Sequence, residues 1–506
     1  MLTWLKQLAS PSRAPTAPRP AARVVRARVE NSLQARFDSA ATTDDNRRHW
    51  ANADGLSANG AMSAEVRRTL RNRARYEVAN NSYARGIVLT LANDTVGTGP
   101  RLQMLTGDAE ANRRVEAAFA EWSAAIRLPE KLRTLRMSRA DSGEGFGVLT
   151  SNPELPTPIK LDLKVIEADQ VTTPLMNLAE PQQVDGILFD RFGNPVEYHV
   201  LRQHPGDSTF GWAGFGGGGD YDRLPASAVI HYFRVDRPGQ SRGIPDITPA
   251  LPLFAQLRRY TLAVIAAAET AADFAAVLYT DAPANGEAES VEPMDLVDLE
   301  KRMATVLPGG WKLGQVAAEQ PTTTYGEFKH EILNEISRCL NMPFNVAAGN
   351  SSGYNYASGR LDHQTYFKSL RVDQAHLEAV VLDRLLAAWL DEAVLIEGLL
   401  PQSLRSTTAT FPHHWFWDGQ EHVDPAKEAN AQATRLQNHT TTLAYEFARH
   451  GRDWEAELRQ RSKELQLMQE LGLPTTASTG GAASVQPTSD NTDEEDADAE
   501  HAAVEE

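Results

Sequence analysis

One cysteine in 506 residues, Cys339, leaves this chain no intramolecular disulfide and fits a reducing compartment. Cys339 sits beside Leu340 in a helical pattern and is read as a packed thiol rather than a nucleophile. Long apolar runs are missing too. The most apolar stretch, Thr261 to Tyr279, is alanine-rich and interrupted by Glu269 and Asp273, so it reads as a packed helix and not a membrane span. The first 29 residues lack the compact apolar core of a signal peptide. Their arginines lie among Pro and Ala, the composition of a disordered basic arm. No HExxH or GxxxxGK[ST] occurs, so no zinc-protease helix or phosphate loop is specified. Bases are outnumbered, 50 Lys and Arg against 67 Asp and Glu, though arginines cluster in the arm and at Arg67, Arg68, Arg71, Arg73 and Arg75. The net charge is −17; nine of the acids fall in the last 17 residues, and the rest of the chain still carries −8. That balance argues against a surface that grips nucleic acid, though not against one past which it slides.

What is present is enough chain for several core-bearing units, 42% hydrophobic. Residues 1 to about 60 read as an arm. Helical periodicity runs from Ala61 to Ala92, and again over Ala109 to Ala125 and from Leu128. It gives way at Gly143–Leu149 (GEGFGVL) to strand character. Between Lys160 and Val235 the chain is built of short strands, with FGNP as a hairpin turn and the glycine run in Gly206–Asp220 as a flexible hairpin tip. A long alanine-rich helix is expected over Thr248–Leu278, about 45 Å at 1.5 Å per residue. A polar acidic break follows, then a short helix near Met294–Ala304, a strand at Val306–Val316 and a helix from Glu327 to Leu340.

Between that helix and the next lies PFNVAAGNSSGYNYASGR, Pro343 to Arg360. Helix connectors usually take about 2 to 8 residues. This stretch reads as a polar connector roughly twice the upper limit, with mobile Gly and Asn and the flat amphipathic rings of Tyr354 and Tyr356. Behind it, Leu370, Leu377, Val381, Leu385 and Trp389 recur at helical spacing. After an aromatic segment (FPHHWFWDGQEHVDP), three further helices are expected over Ala426–Asn438, Thr441–His450 and Asp453–Leu471. Beyond Gly472 the composition cannot bury a core.

Isolated chemistry-bearing residues favour structural roles. His413, His414 and His422 with Asp418 and Asp424 match no ligand spacing and sit among Trp415, Phe416 and Trp417. His231 reads as a packing histidine in a strand. Glu144 is a lone acid without a partner carboxylate in any local motif.

Taken in order, several blocks resemble the portal proteins of tailed bacteriophages, the lambda-type family. They are NSYARGIVLTLANDTVGTG (Asn81–Gly99), SGEGF (Ser142–Phe146), HYFRVDRPGQSRGIP (His231–Pro245), VLPGGWKL (Val306–Leu313), GNSSGYNYASGR (Gly349–Arg360) and VDPAKEANA (Val423–Ala431). Ala357 and Gly359 depart from the family's Asn-Tyr-Ser-Ser-x-Arg pattern. The resemblance covers about residues 65 to 470. It implies an α+β, predominantly helical portal fold of wing, stem, clip and crown. Twelve copies would form a ring at one capsid vertex of the virion, assembled in the host bacterial cytoplasm. Double-stranded DNA would pass through the ring. The terminase large subunit and later the head-completion proteins would dock on it, with the major capsid and scaffold proteins around it. No cofactor, metal or catalytic role is implied.

By order, the resemblance places the disordered arm at 1–60, the wing at 61–247, stem helix 1 at 248–278, the clip at 279–325 and stem helix 2 at 326–342. The tunnel loop and long wing helix follow at 343–400, the aromatic connector at 401–424, the crown at 425–472 and the acidic tail at 473–506. The tunnel-loop residues are then Asn350, Ser351, Ser352, Gly353, Tyr354, Asn355, Tyr356 and Arg360. The clip's docking residues are Lys301, Arg302, Trp311 and Lys312. Arg360 and Lys368 either approach phosphates or pair with Asp362 and Asp373 on the same helix, the pairs being preferred. The competing readings are a packaging or processing enzyme, a nuclease or ATPase, and a capsid-associated scaffold without a channel.

Overall fold

A computed structural model describes residues 40, 43–44, 46–173, 182–207, 221–273, 277–280, 311–314, 324–353, 355–400, 411–419 and 425–474. The chain divides into two units, Met1–Gly55 and Leu56–Glu506. In the first, Thr43 and Asn46 exchange backbone-to-side-chain hydrogen bonds of 2.9 and 3.3 Å that close a turn.

In the second unit, helical structure starts at α1 (Ala58–Ala61), ahead of residue 61. The helical pattern expected over Ala61–Ala92 is two helices, α2 (Ala64–Asn80) and α3 (Ser82–Val96). The break is chemical: Asn81 leaves helical geometry and its side chain accepts from the Tyr83 and Ala84 amides, which starts α3 afresh. Strand β1 (Arg101–Met104) leads to α4 (Ala109–Ala125), capped by Asp108, and to α5 (Leu128–Ser142), with Pro129 in its first turn. Gly143 ends α5 at φ 91°.

Strands β2 (Glu144–Ser151), β3 (Leu161–Ile166) and β8 (Val229–Phe233) form an antiparallel sheet with β2 in the middle. A second antiparallel sheet takes β4 (Gln183–Val184), β5 (Ile187–Phe189), β6 (Pro195–Leu201) and β7 (Tyr221–Pro225) in that order. The β5–β6 hairpin turns through FGNP, with Gly193 at φ 87° and the Asp190 carboxylate accepting from the Phe192 and Asn194 amides. Most of the glycine run read as a hairpin tip, 208–220, lies outside the described residues.

The long helix is α6 (Leu251–Asp273), shorter than expected. Val277 and Leu278, assigned to it from the sequence, lie instead in β9 (Val277–Thr280), which pairs antiparallel with β10 (Trp311–Gly314). The reason is composition: alanines give way to Val, Leu, Tyr and Thr, which favour a pleated ladder. The clip helix expected near Met294–Ala304 lies outside the described residues. Helix α7 (Thr324–Arg338) returns along α6, with the Tyr260 and Phe328 rings 4.6 Å apart and the Tyr325 hydroxyl 3.2 Å from that of Thr261.

Pro343–Arg360 is not one long connector. Phe344–Ala348 forms α8, and α9 (Tyr356–Leu377) begins at Tyr356, leaving seven residues between them. Phe344, Val346 and Ala347 pack on the core shared with α3 and α7, and that burial stabilises a helix too short to persist alone. The chain then continues through a π-helical turn (Glu378–Leu382) into α10 (Asp383–Leu395). Strand β11 (His413–Phe416) pairs with β1, Arg101 opposite Phe416. Helices α11 (Pro425–Gln437), α12 (Leu443–Arg449) and α13 (Trp454–Glu470) complete the described chain, close to the expected bounds.

One apolar core joins α4, α5, β3 and α10 around Phe119, Trp122 and Trp389. A second joins α2, α3, α6, α7, α8 and α9 around Ile87, Phe254 and Tyr366. A third lies between the two larger sheets around Phe146 and Ile187. Leu370, Leu377, Val381, Leu385 and Trp389 are all buried, so the periodicity read behind the polar stretch is core-facing. Trp389 has no exposed surface and its ring lies 5.5 Å from that of Phe119. Trp389→Ala is expected to destabilise the protein by about 3–5 kcal/mol, read from denaturant midpoints. Cys339 packs against the second core, and burial pushes its thiol up to about 11. It should stay silent to a disulfide thiol reagent at pH 7.5 in the native protein and react once denaturant is added.

Candidate functional site

The polar turn between α8 and α9 has a fixed base and an open tip. Gly349 closes α8 in the left-handed region (φ 62°). The Asn350 amide then donates back to the Asn345 carbonyl at 3.0 Å. The Asn345 side chain meets the His363 ring at 3.1 Å, tying the base to α9. Asn350 Oδ1 accepts from the Ser352 amide at 2.9 Å, and Gly353 turns the chain at φ 80°. The Asn355 carbonyl accepts from the Gly359 amide at 3.0 Å, opening α9. About two turns beyond Gly359, the fully buried Tyr366 donates its hydroxyl to Asp94 on α3 at 2.8 Å, and burial pushes that hydroxyl up.

Asn350, Ser351, Ser352, Gly353, Asn355 and Arg360 are exposed, and they share one end of α9. Tyr354 lies outside the described residues. Tyr356 occupies the first turn of α9. Seven residues fall inside the ordinary span of a helix connector, so length no longer sets this segment apart. Its neutrality does: between Gly349 and Asn355 there is no charged side chain.

The pairing expected between Lys368 and Asp373 does not form. Asp373 faces inward and takes Arg136 at 2.9 Å and Arg139 at 3.0 Å, both from α5. Two buried guanidiniums, each donating to one carboxylate oxygen, outcompete an exposed lysine on the same helix. The same two arginines reach Asp246 at 3.0 and 3.4 Å, and Arg234 reaches it at 3.0 Å. Burial alone would raise the Asp246 carboxyl, but Arg139, Arg136 and Arg234 hold it below the usual range.

Beside this lies a second charge cluster. Glu144, with no exposed surface, accepts from Arg242 at 2.6 and 2.9 Å, from the Gly243 amide at 3.0 Å and from His231 Nε2 at 2.9 Å. Arg71 stands 3.5 Å away. Burial opposes the carboxylate, yet Arg242 and His231 hold it well below its ordinary range. The same burial pushes the His231 ring down, so it is neutral and donates. His231 stacks between Phe146 at 4.3 Å and Phe233 at 4.2 Å, a satisfied packing histidine as expected. The glycines are explained by proximity. A Cβ on Gly143 would fall 2.5 Å from the Ile244 backbone, and one on Gly243 2.1 Å from the Gly143 carbonyl. The SGEGF and RPGQSRGIP blocks are therefore two halves of one ion-paired junction.

Sequence reasoning missed Arg71, Arg136, Arg139 and Asp246, and gave Asp373 the wrong partner. A signal was available in α5: Arg136 and Arg139 continue the apolar stripe of Leu128, Leu132 and Leu135, and all five are buried. Cations on a core-facing stripe imply buried anions nearby.

The other candidates resolve into packing. His413 meets the Phe411 carbonyl at 2.8 Å and Asp383 at 3.1 Å, and Asp418 accepts from the Thr98 amide at 2.5 Å; His422 and Asp424 lie outside the described residues. Among the described residues one group, Glu167, Asp169 and His204, has metal-ligand proximity. Arg75 reaches Glu167 at 2.9 Å and Asp169 at 2.8 Å, and Arg71 reaches Asp169 at 2.6 Å. His204 Nδ1 accepts from the Gly206 amide at 3.0 Å. Of the docking residues, Trp311 and Lys312 lie on β10, and Lys301 and Arg302 lie outside the described residues.

The model of one family, "Phage portal protein, lambda family", matches residues 44–374. The chain belongs to that family. The match runs from ahead of α1 through α9 and takes in both charge clusters and the polar turn. A similar relative is the "Probable portal protein" of Halomonas phage phiHAP-1, 24% identical, the alignment covering 93% of this chain and 95% of the relative. Among solved structures, a chain in the virion of a native gene transfer agent particle is 13% identical with a TM-score of 0.46, covering 86% of this chain and all of that one. Another, from the neck of the native particle computed with C12 symmetry, is 15% identical with a TM-score of 0.42, covering 81% of this portal chain and 94% of that one.

Glu144→Gln leaves the buried Arg242 guanidinium short of its counter-charge. The expected loss is about 3–5 kcal/mol by denaturant unfolding, and a smaller loss when Arg242→Met accompanies it. His231 supplies a pH signature. Its folded value is lowered, so the unfolded chain takes up a proton below about pH 6.5 that the folded chain refuses, and stability falls as the pH drops from there. His376 is lowered in the same direction. His231→Gln should therefore flatten, without abolishing, the fall in unfolding midpoint between pH 7.5 and 5.5.

Proposed function

We propose that this portal protein assembles as a ring, twelve copies by analogy with its family, around a channel at one capsid vertex. Double-stranded DNA enters and leaves through that channel. The observation that carries the reading is the family match over residues 44–374, which spans the helices on both sides of the polar turn. The turn fits a channel lining. Its tip is exposed and neutral while its base is pinned by Asn345, His363 and the apolar side of α8. A surface that must let a polyanion slide needs weak contacts, and an overall charge of −17 adds long-range repulsion rather than adhesion. On this reading Asn350, Ser351, Ser352, Gly353, Tyr354, Asn355 and Tyr356 line the channel, with Arg360 at its edge. The segment carrying Lys301, Arg302, Trp311 and Lys312 is the docking end for the terminase large subunit and then for head-completion proteins. Residues 61–247, 279–325 and 425–472 serve as wing, clip and crown, and α6, within 248–278, as the first stem helix.

The protein acts as structure and conduit and not as an enzyme. A metal-dependent nuclease needs acids free to take an ion, whereas the acid-histidine group among the described residues has its acids paired with Arg71 and Arg75.

Replacing Gly349–Asn355 by a two-residue turn should leave rings visible by negative-stain microscopy while lowering the DNA packaged or retained per particle. Full packaging and retention in that variant would reduce the segment to a connector.

A further inference from the structure

Residues 425–474 fold into three helices, and among their described side chains no apolar one is fully buried. The buried residues there are Glu446 and Gly451. Helices α11 and α12 are joined instead by ion pairs: Arg435 to Glu446 at 3.1 Å and to Glu428 at 2.8 Å, and Arg449 to the same two acids at 3.3 and 3.2 Å. Helix α13 is held at its start by polar bonds, Gln103 to Asp453 at 2.8 Å and Arg101 to the Gly451 carbonyl at 3.0 Å. Past that anchor, Leu458, Leu467 and Leu471 are 42%, 55% and 65% exposed, and none of the 17 residues of α13 is buried. An isolated helix of that length is marginal in water, so such a helix persists by packing its apolar positions on something. Leu467 and Leu471, one turn apart, form the most open stripe.

The C-terminal tail offers little to cover it. Residues 475–506 contain no Leu, Ile, Met, Phe, Tyr or Trp, and two valines at most could contribute apolar area. The charge on α13 favours another copy. Against −17 for the whole chain, the helix carries four acids (Glu455, Glu457, Glu464, Glu470) and three bases (Arg459, Arg461, Lys463), a net of −1. The acids of its first turn precede the bases of its second. Adjacent parallel copies in register therefore bring the acids of one copy's first turn near the bases of its neighbour's second turn, with a leucine stripe at the contact.

We propose that α13 is an inter-subunit helix, packing through Leu467 and Leu471 against α13 of the neighbouring copy. This rests on the ring reading above. The full-length chain carrying Leu467→Glu and Leu471→Glu tests it, because neither side chain is buried within one copy. Far-ultraviolet circular dichroism and the unfolding midpoint should match the natural chain. Sedimentation velocity and negative-stain imaging should show rings for the natural chain, and for the variant monomers or a need for at least tenfold more protein to assemble. Rings forming at the natural concentration would overturn the helix contact and leave the ring reading standing. A natural chain that stays monomeric would overturn both. A variant with a lowered unfolding midpoint would place the stripe inside one copy and overturn the proposal. Deleting residues 475–506 should leave assembly unchanged; loss of rings on that deletion alone would assign the contact to the tail instead.

Discussion

The fold turns on a carboxylate that has no access to water. Glu144 opens the central strand of a sheet, and its charge is balanced by Arg242 from a loop about a hundred residues later, with Arg71 and His231 completing the shell. Removing two charges from water costs several kcal/mol each, and the cost is offset only when every donor finds its acceptor. That condition fixes the geometry of four separate chain segments at once. The neighbouring cluster extends the constraint: Arg136 and Arg139 bridge Asp246, at the approach to α6, and Asp373, on α9. The entry to one long helix and the middle of another are thereby locked to α5. A shift of one element would strand a buried charge, so this junction favours a single arrangement over a range of nearby ones.

The long helix α9–α10 transmits that rigidity. It leaves the polar turn at Tyr356, docks on the second core through Tyr366 and Leu370, and enters the first core through Leu385 and Trp389. Between the two cores it passes through a π turn whose Val381 and Leu382 are buried. The extra residue of a π turn rotates the face downstream, which lets one continuous helix present apolar residues to two cores that do not lie on the same stripe. The neutral turn at its start is thus mounted on an element held at many points.

Much of this was legible from residues alone. Helices α4, α11 and α13 declared themselves by periodicity and caps, and the buried stripe of α9–α10 was read nearly residue by residue. The β5–β6 hairpin followed from FGNP. What escaped was non-local. Nothing adjacent to Glu144 names Arg242, and nothing near Asp373 names Arg136, because ion pairing across a fold leaves no short-range spacing. Phe344–Ala348 escaped for a related reason: five residues carry too little periodicity, and their helix depends on the surfaces of α3 and α7. The partition of α6 from β9 was visible in composition but was overridden by the alanine-rich run before it. In the polar turn, the composition was read correctly as uncharged between Gly349 and Asn355, while the length of the connector was overestimated.

The pairing of β1 with β11 has a consequence for how the molecule is made. Arg101 meets Phe416, and Thr98 meets Asp418, across more than three hundred residues of intervening chain. Contacts of that span cannot form until most of the polypeptide has left the ribosome, and they are the slow step in reaching a native topology. The N-terminal helices must therefore wait, partly uncovered, for a strand synthesised near the end. The window in which a nascent copy could meet another copy wrongly is set by that wait, so newly made chains are most exposed to misassembly just before the last hundred residues emerge.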